Sequence, residues 1–419
     1  MDFVVPKLRA LVPRLAAVVG CTAAGVIGHT ATGDVAEVEG APGVSVTLAR
    51  LPGIHVKTFH VMPDDIPSSD TSQDEWQRLV GNPQGANTTH PPAFMIFSGT
   101  SFAEKGELDR FLSGLEYAYP GSSVVGSLAS TAAGNAQGHL YCTLPRDVLS
   151  AESKSMRDSG LVGISLTGDV QLDCLVSPGC RPIGPVFEVR KVVEGNVLAE
   201  MELVGRPSTS LSAVGHLKSV ISYATPEEKR LMQEEMLVGI AVDTIGGAGD
   251  DGDDDYLIRH VVGTDMVVGG ITVTTKIRPG QRVRFFIKEM EAARRKLDAT
   301  MQKYKRIELA NSLVGYSNPP FGAMVFVDSR RGRALFREPL METKILTSFA
   351  PGVPVAGFFG GGQVGPCHSG ENALNTPSVL HTGCNLIALV RRRSGMNPVD
   401  PVDSPSTSNV DLGSDGSKE

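Results

Sequence analysis

The 419-residue sequence has no uninterrupted apolar run of about 18 residues, so it offers no helix able to cross a bilayer. Residues 1–17 mix basic and apolar side chains. Pro6 and Pro13 interrupt them, and the apolar stretches are too short for the core of a signal peptide. Six cysteines are scattered from Cys21 to Cys384 with no dense framework and no CxxC, so reduced, mostly buried thiols are expected. Gly-x-Ser-x-Gly is absent, which removes the signature of a serine nucleophile elbow. These absences predict an intracellular, soluble protein with no membrane association, cytoplasmic or organellar if a targeting peptide precedes it.

A broad basic field is also missing. The net charge is −7, but Asp250, Asp251, Asp253, Asp254 and Asp255 carry five of the negative charges and the tail after Arg393 a further net four. The rest of the chain is near neutral, which argues against nucleic acid as a partner. Arg391-Arg392-Arg393 reads as a solvated strand end. What is present is a globular balance, 41% apolar and 20% charged, over a length sufficient for two or three domains.

One pattern recurs. An apolar strand leads through a polar turn into a helix, and a second strand begins near a proline and ends in glycine. The clearest copy is strand 93–97, helix 104–117 and strand 120–126; another is strand 323–327, a helix within 338–347 and strand 351–357. Strand, helix and strand in this order predict right-handed crossover units in parallel or mixed sheets. A third copy, helix 4–11 and strand 13–20, lacks its first strand. It predicts an N-terminally truncated unit with an open sheet position beside residues 15–19.

Antiparallel material lies between the copies. Residues 161–166, 170–176, 237–242, 256–262, 267–273 and 283–287 read as strands. Residues 186–193 and 197–203 flank the turn Glu194-Gly195-Asn196 and predict a hairpin. Thr225-Pro226-Glu227-Glu228 is a capping box opening a helix to about Met236, and 289–304 is a charged helix. Residues 246–255 form a Gly/Asp-rich loop. From Ser394 the chain has too few bulky apolar residues to order itself.

Several segments taken in order resemble the FIST family (F-box and intracellular signal transduction proteins). They are Gly20-Cys-Thr-Ala-Ala-Gly-Val-Ile-Gly28, residues 120–135, Ser177-Pro-Gly-Cys-Arg-Pro-Ile-Gly184 followed by Gly195-Asn196, Tyr256-Leu-Ile-Arg-His-Val-Val-Gly263, residues 353–366 and His381. The resemblance covers residues 1 to about 393. It implies α/β architecture with mixed sheets in two halves, a FIST N-like domain over 1–203 and a FIST C-like domain over 204–393, followed by a disordered acidic tail, 394–419. It also implies small-ligand sensing, of an amino acid or similar metabolite, or recruitment of proteins for ubiquitination where an F-box is fused. The sequence departs from the family pattern at three places. Gln363 stands where a glutamate is usual, Lys288-Glu289 where Arg-Asp is usual, and Asp328-Ser329 in a segment that usually holds a cysteine. A ligand ammonium that needed the glutamate would lose about 1.5–3 kcal/mol of interaction here.

The glycine-rich ends 20–28, 126–134 and 357–365 each follow a strand. Ligands in α/β sheets bind beyond strand carboxyl ends, and glycine lets backbone N–H groups come close to a ligand. These ends are expected to line one cleft, with Gly20, Cys21, Thr22, Gly126, Ser127, His260, Phe359 and Gly365 around it. Arg181, Arg259, Gln363 and His381 are expected as its polar contacts. Either arginine can clamp a carboxylate bidentately, or sit in a structural ion pair.

Other chemistries fit less well. Gly360–Gly365 and Gly247–Gly252 match a dinucleotide fingerprint by letter. The first is followed by Pro366 rather than a helix, and the second carries aspartates that would repel phosphate. Cys367, His368, His381 and Cys384 have spacings that occur in zinc sites, but adjacent Cys and His point apart on an extended chain. No metal and no cofactor is expected. The expected role is a non-catalytic sensory module with a small-molecule ligand. The alternatives are a protein-recruiting surface, such as a ubiquitin-ligase substrate receptor or signalling component, and an enzyme using Cys21 or Cys367 with a distant histidine.

Overall fold

The computed structural model describes residues 4–82, 90–132, 138–144, 155–205, 210–242, 256–367 and 376–393. Gly134, His368, the aspartates of 250–255 and the tail 394–419 lie outside the described residues.

Two six-stranded mixed sheets form the centre of the molecule. The first runs in the order Ser378–His381, Gln363–Pro366, Ser123–Leu128, Ala93–Ser98, Leu161–Gly168, Ile54–Val61. The second runs Gln171–Pro178, Cys384–Arg391, Gly322–Asp328, Val355–Gly360, Gly25–His29, Val35–Glu39. Each holds one parallel pair, Ala93–Ser98 with Ser123–Leu128 and Gly322–Asp328 with Val355–Gly360. These pairs are the two complete strand-helix-strand copies of the sequence. Their helices are Glu107–Ala118 and Met341–Phe349.

The sheets stack face to face. Met95, Phe97 and Val125 of the first meet Cys174, Phe326, Phe358 and Leu386 of the second in a shared core. Helices Gln73–Leu79 and Glu107–Ala118 cover the outer face of the first sheet, packing Trp76, Phe111 and Leu115 on Phe94 and Ile96. Helices Met290–Leu313 and Met341–Phe349 cover the second, over Ile27, Val325 and Ile387. The layers are therefore helix, sheet, sheet, helix.

The halves are interlocked. The hairpin Gly25–His29/Val35–Glu39 does not join the sheet of its own half. It pairs Gly25 with Phe359 and Ile27 with Gly357 in the second sheet. Reciprocally, the hairpin Gln363–Pro366/Ser378–His381 pairs Gln363 with Ser127 and Val364 with Gly126 in the first.

A third sheet closes on itself. Its order is Cys180–Val193, Arg282–Lys288, Met236–Ala241, Tyr256–Asp265, Gly270–Val273, Val197–Leu203, and Cys180–Val193 pairs again with Val197–Leu203. The short strand Ser210–Ser212 adds to Val197–Leu203. This small antiparallel barrel packs Phe187, Val238 and Phe285 against helix Ala213–Tyr223. The hairpin predicted around Glu194-Gly195-Asn196 and the capping box at Thr225 are both present.

The third copy requires correction. Val19–Cys21 pairs antiparallel with Leu140–Cys142 in a separate three-stranded sheet. It is not the second strand of a parallel crossover, and it lies at the edge of that sheet. Two further boundaries differ. Residues 25–29, within and just past the glycine-rich end 20–28 expected to follow a strand, themselves form a strand, where Gly25 allows close approach to Val38 and Phe359. The charged helix continues past 304 to Leu313.

Candidate functional site

The three glycine-rich ends converge, but on one another. Ser130 is the hub. Its hydroxyl donates to Phe359 O at 2.7 Å and accepts from Ala24 N, while its own N–H donates to Thr22 O. Thr22 exchanges bonds with His139, Leu128 N–H donates to Gly362 O, and Gly361 N–H donates to Leu128 O. The N–H groups of Thr22, Ala24, Leu128, Ser130 and Gly361 are thus bonded within the protein. Two of the glycines serve the packing directly. A Cβ on Gly126 would lie 1.8 Å from Ile96 O, and one on Gly360 would lie 2.0 Å from Ser127 Oγ.

The polar candidates separate into distinct places. Arg181 bonds Glu228 and Glu289, each at 3.0 Å. This is the structural ion pair that was one of its two readings. His260 faces Glu235 at 3.0 Å and contacts Arg330, in a cluster completed by Lys288. Burial works to raise the Glu235 carboxyl, but His260, Lys288 and Arg330 hold it down at about 2. Cys21 ends its strand half-buried against the inter-sheet core, and Gly20 beside it has open space around its Cα. Phe359 is buried in the core under the second sheet's helices.

Ser127, Gln363 and His381 do come together, side by side on three neighbouring strands. Ser127 Oγ donates to Gly362 O at 2.7 Å, and His381 Nε2 lies 2.9 Å from Pro366 O. Gln363 is fully buried. Its Oε1 accepts from Cys384 Sγ at 3.3 Å, and its Nε2 has no partner among the described residues. Gly365, on the same face, abuts Leu386 and Cys174 of the other sheet. This end of the inter-sheet layer is therefore polar where the rest is apolar.

Behind it is a buried ionic group that the sequence did not disclose. Arg331 grips Glu342 bidentately at 2.6 and 3.2 Å, Asn385 Nδ2 donates to Glu342, and Asp328 accepts from the N–H groups of Gly383 and Arg330. Ser177 Oγ and Asn385 Oδ1 are also without a partner among the described residues. Arg331 lay in a stretch read only as a polar turn, and nothing local distinguishes a buried arginine there from an exposed one.

Arg259 is buried, 8% exposed, on the barrel strand Tyr256–Asp265. Among the described residues, Asp109 on the helix Glu107–Ala118 and Cys367, which follows the exchanged strand Gln363–Pro366, are the ionisable groups in its electrostatic reach. Burial pulls the guanidinium down to about 10, so it stays protonated at neutral pH.

The thiols are arranged against nucleophilic use. Burial pushes Cys367 up to about 11 and Cys180 to about 12, and raises Cys21, Cys174 and Cys384 further. A neutral thiol is a poor nucleophile and a poor metal ligand. Among the described residues no three His, Cys, Asp or Glu side chains gather as a metal site. Nor is any described helix long and apolar enough to cross a membrane.

Two family models match the chain, the FIST N domain over residues 1–202 and the FIST C domain over 213–366. The chain belongs to the FIST family. FIST domains are associated with signal transduction and sensory roles. The FIST C match ends at Pro366, the last residue of the first strand of the exchanged hairpin. An uncharacterised protein of Mycobacterium tuberculosis is 29% identical over 363 residues, covering 86% of this chain and 81% of that protein. An uncharacterised protein of Mycobacterium bovis is 30% identical over 256 residues, covering 61% of this chain and 58% of that protein.

Proposed function

We propose that this chain is a non-catalytic sensory module that binds a small ligand at the polar end of the inter-sheet layer. The exchanged hairpin Gln363–Pro366/Ser378–His381 meets Ser123–Leu128 there. One observation carries the reading. Gln363 is fully buried, and its Nε2 has no partner among the described residues. A buried donor without an acceptor costs about 1–3 kcal/mol, and a ligand acceptor would remove that cost. The raised thiols favour sensing over cysteine catalysis.

The test is a thermal-shift screen of neutral, cationic and anionic metabolites on the full chain, since a ligand that binds only the folded state raises Tm by mass action. Gln363→Met keeps the volume and removes the unpaired amide. It is expected to leave the ligand-free Tm unchanged or higher and to abolish the shift. A lower ligand-free Tm with the shift intact would assign Gln363 to the fold and refute the reading.

A protein-recruiting role has its own observation. The turn after Tyr256–Asp265 presents Met266, Val267 and Val268 to solvent, Val267 at 96% exposure, with Asp265 Oδ1 accepting from Val267 N and Val268 N to fix it. Val267→Asp should abolish a partner's binding and leave ligand shifts untouched if recruitment is the function.

A further inference from the structure

We propose a second site, for a small carboxylate, at Arg259, where the barrel strand, the exchanged hairpin and the helix Glu107–Ala118 approach one another. It stands on a different residue from Gln363, so either site can fail alone.

Among the described residues four arginines are buried, Arg259, Arg331, Arg391 and Arg392, so Arg391 and Arg392 are not the solvated strand end that their charge run suggests. Three have the partners that burial of a guanidinium requires. Arg331 holds Glu342. Arg391 pairs with Asp173 and Glu308. Arg392 lies over the Phe321 ring and donates to Pro52 O. Arg259 has neither a carboxylate nor a ring among the described residues. Its one hydrogen bond runs from Nη1 to the carbonyl of its own neighbour, Ile258, at 2.9 Å. A guanidinium has five N–H donors in a fork that matches a carboxylate bidentately, and a buried charge is ordinarily paired. Arg259 spends one donor on Ile258 O, and no carboxylate among the described residues balances its charge, so a ligand carboxylate would supply the missing counter-charge and a pair of acceptor oxygens.

The surroundings select among anions. Asp109, exposed on the first turn of its helix, already places negative potential near Arg259. A monoanion balances the single guanidinium. A phosphate dianion would leave surplus negative charge at a buried position facing Asp109. Cys367, raised by burial, remains a neutral thiol at neutral pH and does not compete for the guanidinium.

The experiment uses the full chain and matched probes, monocarboxylates of about two to six carbons with their primary amides, and inorganic phosphate, read by thermal shift and calorimetry. At least one carboxylate should raise Tm while its amide and phosphate do not. Arg259→Gln should weaken that binding at least about tenfold without lowering the ligand-free Tm, because it removes an unpaired buried charge. Asp109→Asn, at an exposed position, should tighten it. An amide that works as well as its acid, or a carboxylate shift that survives Arg259→Gln, overturns the proposal. So does a fall in ligand-free Tm in Arg259→Gln with no carboxylate effect in the parent. If all the acids are silent while a neutral or cationic compound binds at Gln363, the Arg259 site falls and the first reading stands.

Discussion

Glu37 accepts hydrogen bonds from both the backbone N–H and the hydroxyl of Thr343, each at 2.8 Å, across 306 residues of chain. The contact ties the first exchanged hairpin to the opening turn of the helix Met341–Phe349, where a carboxylate is favoured by the helix dipole. Glu39, two residues on, accepts from Arg333 N–H in the same way. The hairpin therefore reaches the other half by side-chain capping as well as by strand pairing.

That capping has a pH signature. Burial raises the Glu37 carboxyl above its ordinary value of 4.5; the Thr343 bonds oppose this, and Glu342 and Glu39 add to it. A raised folded-state value means protonation favours the fold. The contribution is full below about 4.5 and is lost as pH rises through the folded-state value. Glu37→Gln keeps an acceptor oxygen for Thr343 and cannot ionise. Its Tm relative to the parent should climb between pH 5 and pH 7.5, as measured by calorimetry. Parallel curves would show that Glu37 does not titrate in this window. Glu37→Ala, which leaves Thr343 without its acceptor, should cost about 1–3 kcal/mol throughout.

The Arg331–Glu342 pair makes a larger prediction. Both side chains are wholly buried, and removing one partner leaves an uncompensated charge worth about 3–5 kcal/mol. Arg331→Leu and Glu342→Leu should each destabilise by about that amount in urea unfolding. The double variant should lose far less than their sum. Strict additivity would mean that the two side chains are not coupled.

Glycine positions separate packing from ligand approach. Gly126→Ala would drive a methyl group into backbone, 1.8 Å from Ile96 O, where neither strand can yield. A loss of ~3 kcal/mol in urea unfolding is expected. Gly20→Ala meets nothing within 4 Å and should stay within about 0.5 kcal/mol of the parent. Equal effects at the two positions would contradict the arrangement described here.

What could be read from the sequence follows the range of the interaction. Ala93–Ser98, Glu107–Ala118 and Ser123–Leu128 were legible because apolar runs, a helical stripe and Pro/Gly boundaries are local signals. So was the hairpin turning at Glu194-Gly195-Asn196. The exchange of hairpins was not, because the pairing of Gly25 with Phe359 leaves no mark near either residue. Glycine misled at 25–28, since the lack of a side chain that lowers strand propensity is also what lets that strand approach Phe359. Arg181 and Arg259 looked alike in sequence. Only the fold sets Glu228 and Glu289 against the first and leaves the second, among the described residues, with a single carbonyl.

The thiols supply the test of the remaining chemistry. None of the six cysteines is in a disulfide, and four of them, Cys142, Cys174, Cys180 and Cys384, are buried. Half-buried Cys21 and Cys367 are the two that reagents can reach first. Burial holds Cys367 at about 11 against the pull of Arg259, and Cys21 is raised by burial with nothing opposing it. Reactivity follows the thiolate fraction, which at pH 7.5 is then about a thousandth or less for Cys367. Alkylation of the native protein should therefore be slow at every site, and six thiols should titrate only on unfolding. Arg259→Gln removes the nearby positive charge and should slow Cys367 further, leaving Cys21 unaffected. A cysteine that reacts within seconds in the native state would show a stabilised thiolate, and would return the cysteine-dependent enzyme to consideration.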